Sequence, residues 1–187
     1  MSFIKDHLYL TKQNVKWFLL LAFGYGVFYW ANNLLTASLY LETGAHIIHL
    51  PSGVRMVIVL VAGLLGALAL MVATFPYSYL MMFNENLPLA LTGSIATGLI
   101  PLSSIYLLNK IKPFDRNLSS ITLRTLLILS IVYAVINTST QQLIIFIFDE
   151  SKNPLNALLV MFTGDILGIL IVLYSIRIIA KIIKSSR

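Results

Sequence analysis

Apolar residues dominate this chain in long runs, and polar residues are confined to short turns between them. Such runs match the roughly 20 residues that a helix needs to cross the hydrocarbon core of a bilayer. Clear runs cover residues 17–40, 87–109, 121–148 and 154–183. The region 46–83 is different, because a single helix from Val54 to Phe83 would be roughly 45 Å long against a hydrocarbon core of about 30 Å. The glycines of AGLLGA at 62–67 offer a tight turn within it. The pattern therefore predicts an all-α integral membrane bundle of six transmembrane helices, with spans at about 17–40, 46–62, 66–83, 87–109, 121–148 and 154–183. Five is the alternative count.

Charge placement favours six. Eleven of the thirteen Lys and Arg fall in three clusters: Lys5, Lys12 and Lys16; Lys110, Lys112, Arg116 and Arg124; Arg177, Lys181, Lys184 and Arg187. Basic residues flanking spans collect on the cytoplasmic side, so an even number of crossings must separate each cluster from the next. Six spans meet that condition, with both termini cytoplasmic and Glu42, Glu85, Asp149 and Glu150 outside. Five spans break it at the first cluster. Lys5, Lys12 and Lys16 ahead of WFLLLAFGYGVFYW also suggest a signal peptide, and TAS at 36–38 is a weak cleavage-like site. The apolar run continues to about Leu41, longer than a typical signal core, so a retained first span is expected.

Composition narrows the function classes. The chain is 58% hydrophobic and only 11% charged, where a soluble domain carries about 25% charge. No polar stretch is long enough for a soluble enzymatic, DNA-binding or signalling-output domain, so one transmembrane domain over 1–187 and no enzymatic activity are expected. Cysteine is absent, which removes disulfides, thiolate metal sites and cysteine nucleophiles. The net charge of +6 is dispersed at span ends rather than gathered into a basic patch, so it reports topology and not nucleic acid.

The candidate chemistry is a set of polar residues at membrane depth. Asp165 lies about ten residues and Arg55 about nine residues in from the outer ends of their spans, roughly 14–15 Å of helix, so both are expected near the midplane. Each costs about 2.5–3.5 kcal/mol at the centre of a span, which more than ten apolar neighbours at about 0.3–0.6 kcal/mol apiece offset. Such a residue must face the bundle and find a partner. Matched depth predicts an ion pair between Asp165 and Arg55, serving either helix register or a ligand. NTSTQQ at 137–142, with Asn137 and Gln141, and the Asn32, Asn33 pair fall in the outer half, where they join helices or line a pocket. His46 and His49 would share a helix face and are weak metal or haem candidates. No cofactor is specified. Pro51 and Gly53 in HLPSG suggest an interruption near the start of the second helix. Gly164 and Gly168 form a small-xxx-small pair beside Asp165.

Two motifs carry a resemblance. HLPSGVRMVIVLVAGLLGALAL resembles the start of the MASE family of membrane-associated sensor domains, with a Pro-x-Gly opening an apolar helix and a later glycine turn. LLVMFTGDILGILIVLYS resembles that family's closing helix, with its Gly-Asp-x-x-Gly motif. Pro51, Gly53, Gly164, Asp165 and Gly168 are the positions that carry over. The resemblance implies an all-helical sensory bundle in a bacterial inner membrane, usually fused to histidine kinase or cyclic-di-GMP output domains. This chain departs from the pattern in lacking the tryptophan and proline residues often found around the closing motif. It is also expected to have no output domain after Arg187, and so to act through a membrane or cytoplasmic protein partner. The resulting expectation is a sensory or interaction module with a pocket around Arg55, Asp165, Asn33, Asn137 and Gln141. The alternatives are an accessory subunit of a larger membrane complex, or a small transporter or substrate-binding membrane component.

Overall fold

The computed structural model describes residues 12–36, 48–111, 113, 122–148 and 154–185. All regular structure among them is helical: α1 (Lys12–Leu35), α2 (Leu50–Tyr77), α3 (Leu87–Ile111), α4 (Leu123–Phe148) and α5 (Pro154–Ser185), with a π-helical turn Ser78–Met82 extending α2. Among the described residues five helices, rather than six separate ones, are long and apolar enough to cross a membrane. The observed bounds follow the apolar runs closely for α3, α4 and α5. The first helix starts earlier than expected, at Lys12, and residues 37–47 with Glu42 and His46 lie outside the described residues, as do Asp149 and Glu150.

The exception is α2, where the expected break at Pro51–Gly53 is absent. Pro51 occupies the first turn of the helix, where its missing N–H removes no intrahelical bond, so HLPSG begins the helix instead of interrupting it. The break is at Gly63, whose φ of 55° and ψ of −130° are non-helical and closed to most L-residues. The geometry on either side shows a reversal. A Cβ on Gly66 would stand 2.7 Å from the carbonyl oxygen of Ile58, whereas residues eight apart in a straight helix are about 12 Å apart. Arg55 and Tyr77 would be about 33 Å apart along a straight helix. Yet the Arg55 guanidinium lies 5.5 Å from the Tyr29 ring centroid and the Tyr77 ring 5.1 Å from the same ring. Thus α2 folds back on itself, with arms of about 20 Å (Leu50–Ala62) and about 28 Å (Leu64–Met82) running side by side.

Within the second arm Pro76 cannot donate an intrahelical bond, and the chain then widens into the π turn that ends the arm. A tight connection follows, with Asn84 and Glu85 at positive φ. Asn86 starts α3 by accepting the Leu89 N–H on its Oδ1 at 3.2 Å.

This doubled helix organises the bundle. It packs against α1, α3 and α5, while α4 joins α3 to α5. The close approaches fall at small residues. Gly53 meets Gly168 and Val172 of α5, Gly98 of α3 meets Ala67 and Met71, and Gly26 of α1 meets Ala73. The centre is filled by Met56, Val59, Leu70, Ile105, Leu129, Tyr133, Ile169 and Leu173, all essentially inaccessible. Among the described residues helix α1 packs against α2 alone, and it presents Trp17, Phe23, Val27, Trp30 and Leu34 outward, as a lipid-facing stripe requires.

Candidate functional site

The two sequence motifs meet. The backbone N–H of His49, just ahead of α2, donates to the carbonyl oxygen of Gly164 at 3.1 Å. Gly168, one turn further along α5, faces the His49 and Leu50 backbone so closely that a Cβ would overlap it. Gly53 does the same from the other side, where a Cβ would stand 2.5 Å from the Gly168 carbonyl oxygen. Glycine on both helices therefore lets the start of α2 press against α5 at Asp165.

That approach surrounds Asp165 with donors. Ser52 Oγ donates to its Oδ1, Asn137 Nδ2 of α4 donates to its Oδ2 at 2.6 Å, and His49 Nδ1 lies 3.1 Å from Oδ1. His49 Nδ1 is also 2.8 Å from Ser52 Oγ. His49 and Ser52 are three positions apart, the spacing that puts both on one side of a helix start. Asp165 is 1% exposed and Asn137 2%, so hydrogen bonds from Ser52 and Asn137, with the His49 ring beside them, replace its hydration. The tautomer that suits these contacts carries its proton on Nδ1.

Arg55 has a different environment, and the expected Asp165–Arg55 ion pair does not form. No carboxylate among the described residues stands within ion-pair distance of its guanidinium. Its Nε donates to Tyr25 Oη at 2.6 Å, and the guanidinium lies 5.9 Å and 5.5 Å from the Tyr25 and Tyr29 ring centroids. Tyr25 and Tyr29, four apart on α1, stack with centroids 5.8 Å apart and form an aromatic seat for the cation. The pairing fails because Ser52, one turn nearer the helix start, already serves Asp165, while Arg55 extends toward α1.

Asp165 and Arg55 nevertheless line one cavity of about 420 Å³. Asn33, Asn137 and Gln141 line it as well, together with His49, Tyr29, Tyr77, Phe83 and Met161. The structure thus gathers Arg55, Asp165, Asn33, Asn137 and Gln141 from four helices at one end of the bundle. Asn33 also donates to the Tyr29 carbonyl oxygen one turn back, at 2.7 Å. The motif positions Pro51, Gly53, Gly164 and Gly168 pack the helices that carry the site and are not in its wall.

Several site residues escape a reading by sequence. Ser52 sits inside the Pro-x-Gly motif and is easily passed over as a turn residue, although its spacing from His49 is a usable signal. Tyr25 and Tyr29 resemble the aromatics of any membrane helix, and only their four-residue spacing points to a shared target. Tyr133, fully buried on α4, sets its hydroxyl beside Arg55 and Ser52 without a hydrogen bond of regular geometry, and Asn137 Oδ1 has no partner among the described residues. His46 lies outside the described residues, and no group of three His, Cys, Asp or Glu among the described residues stands close enough to hold a metal. Comparison with protein-family models, curated proteins and solved structures gives no match.

Proposed function

We propose that this protein is a non-enzymatic, multi-pass sensory or interaction module that binds a small ligand in the outward half of a bacterial inner membrane and acts through a protein partner. The observation that carries the reading is the cavity of about 420 Å³ with a buried arginine and a buried aspartate in its wall. That size falls within the roughly 300–1,000 Å³ of small-molecule sites, and intramembrane ionisable groups there are functional candidates by default. The MASE-like reading gains support from the contact between its two motifs, since Gly53 and Gly168 pack against each other beside Asp165.

The topology belongs to the same proposal. Taking the two arms of α2 as two crossings gives six, puts the three basic clusters on the cytoplasmic side and places the cavity toward the outside. A ligand that draws on Asp165 then acts on the helix that also carries Gly164 and Gly168. Any change in how the α2 start presses on α5 is delivered along α5 toward Ser185, where a partner can read it.

The test is native mass spectrometry of the protein released gently from its own membrane. The expected result is a bound small molecule on the wild type that is lost from Asp165→Asn and from Arg55→Gln. A ligand retained equally by both variants, or a wild-type protein without one, rejects the pocket.

A further inference from the structure

On the reading of this cavity as a ligand site, we propose that its ligand is a small zwitterion, with an oxyanion on Arg55, an ammonium on Asp165 and an apolar body against Tyr29, Tyr77 and Phe83. Two opposite charges, 4% and 1% exposed, line the same cavity and are not paired with each other. Removing a charge from water costs several kcal/mol, and direct pairing is the simplest relief. Here the two groups are held apart. Asn137 and Ser52 fix the carboxylate on α5, and Tyr25 fixes the guanidinium toward α1.

The unused hydrogen-bonding capacity matches the charges. A guanidinium carries five N–H donors; Tyr25 accepts from Nε and the Tyr133 hydroxyl stands beside the guanidinium, which still leaves Nη donors for an oxyanion, whose planar form they fit in a two-point contact. A carboxylate has about four acceptor positions, and three donors from Ser52, Asn137 and His49 leave it room for one more. Charge balance then selects among ligands. The Arg55 and Asp165 charges sum to zero, so an anion or a cation alone would add an uncompensated charge to a poorly solvated interior. A molecule with both charges adds none. The fixed separation of the two groups lowers the ordering cost of binding such a molecule.

An oxyanion and an ammonium a few bonds apart occur both in free amino acids and in phosphoethanolamine lipid headgroups, and the test separates these sources. Wild-type protein is placed in nanodiscs of phosphatidylglycerol, and its thermal unfolding is followed with L-phenylalanine, 3-phenylpropionate or 2-phenylethylamine at equal millimolar concentration. A second set of nanodiscs contains phosphatidylethanolamine. L-phenylalanine alone raising Tm by about 2–4 °C supports the proposal with a free amino acid as the ligand class. A rise of that size with phosphatidylethanolamine, and no response to the free probes, supports it with the headgroup as the source. In either case Arg55→Gln and Asp165→Asn abolish the rise, but the wild-type series decides the question without them. Equal stabilisation by 3-phenylpropionate or 2-phenylethylamine overturns the zwitterion and leaves the ligand site standing. No response to any probe or to phosphatidylethanolamine also overturns it, while the ligand-retention experiment decides the site itself.

Discussion

At Asp165 a carboxylate is kept in the bundle by hydrogen bonds from Ser52 and Asn137, with the His49 ring beside them. Each hydrogen bond to an ionised acceptor is worth about 1.5–3 kcal/mol, and a donor left without its acceptor is costly. Asp165→Asn replaces one acceptor with an NH₂ group facing Asn137 Nδ2 or the Ser52 and His49 donors, so it should lower stability by about 1–3 kcal/mol. A double-mutant cycle of Asn137→Ala with Asp165→Asn, measured by unfolding in mixed micelles, should give a coupling above about 0.5 kcal/mol. The cycle of Arg55→Gln with Asp165→Asn should couple less. Exchanging the two charges should rescue neither single variant, and a rescue would show that the two residues are paired in the membrane. The sequence makes Asp165 and Arg55 conspicuous because each is isolated in an apolar run. It does not reveal their partners. Depth along two helices is matched only to within a turn, and Ser52 and Arg55 differ by that one turn on the same arm.

At the scale of elements, glycine acts in two distinct ways. Gly63 has nothing near its absent Cβ, and its φ of 55° is the whole constraint. Gly63→Ala should therefore cost about 1–3 kcal/mol through the backbone, and Gly63→Ser should cost nearly the same because side-chain volume meets open space. Gly168 has a helical backbone and no free space, because the His49 and Leu50 backbone fills it. Gly168→Ala should separate α2 from α5, cost about 1–3 kcal/mol or more, and weaken the Ser52 and His49 contacts to Asp165. Comparing the three variants by thermal unfolding separates the two mechanisms: similar losses for Ala and Ser at position 63 identify a backbone cost, and a loss that grows with volume there rejects it. The excess length of the 46–83 region makes the fold-back readable, and AGLLGA gives its position to within a few residues. The Pro51–Gly53 interruption misleads because the same Pro-x-Gly residues that break a helix interior are well suited to beginning one.

Across the whole molecule, the side-by-side arms of α2 make a topological prediction. The chain has no native cysteine, so single cysteines can be placed without background. With six crossings, Ala62→Cys at the fold and Lys110→Cys should react with an impermeant maleimide from the same side, and Asn84→Cys from the opposite side. Labelling of Ala62→Cys and Asn84→Cys from one side would reject the second crossing. The fold-back also bears on how the protein is made. Residues 50–82 leave the ribosome as one stretch that is apolar apart from Arg55 near its start, roughly 50 Å as a helix against a hydrocarbon core of about 30 Å, and no charge marks its middle. If the fold of α2 faces the cytoplasm, as six crossings require, the insertion machinery has no basic residue with which to hold it there. With six crossings, the two arms would enter the membrane as a pair, with their orientation set by the lysines of the first cluster and those at the end of α3.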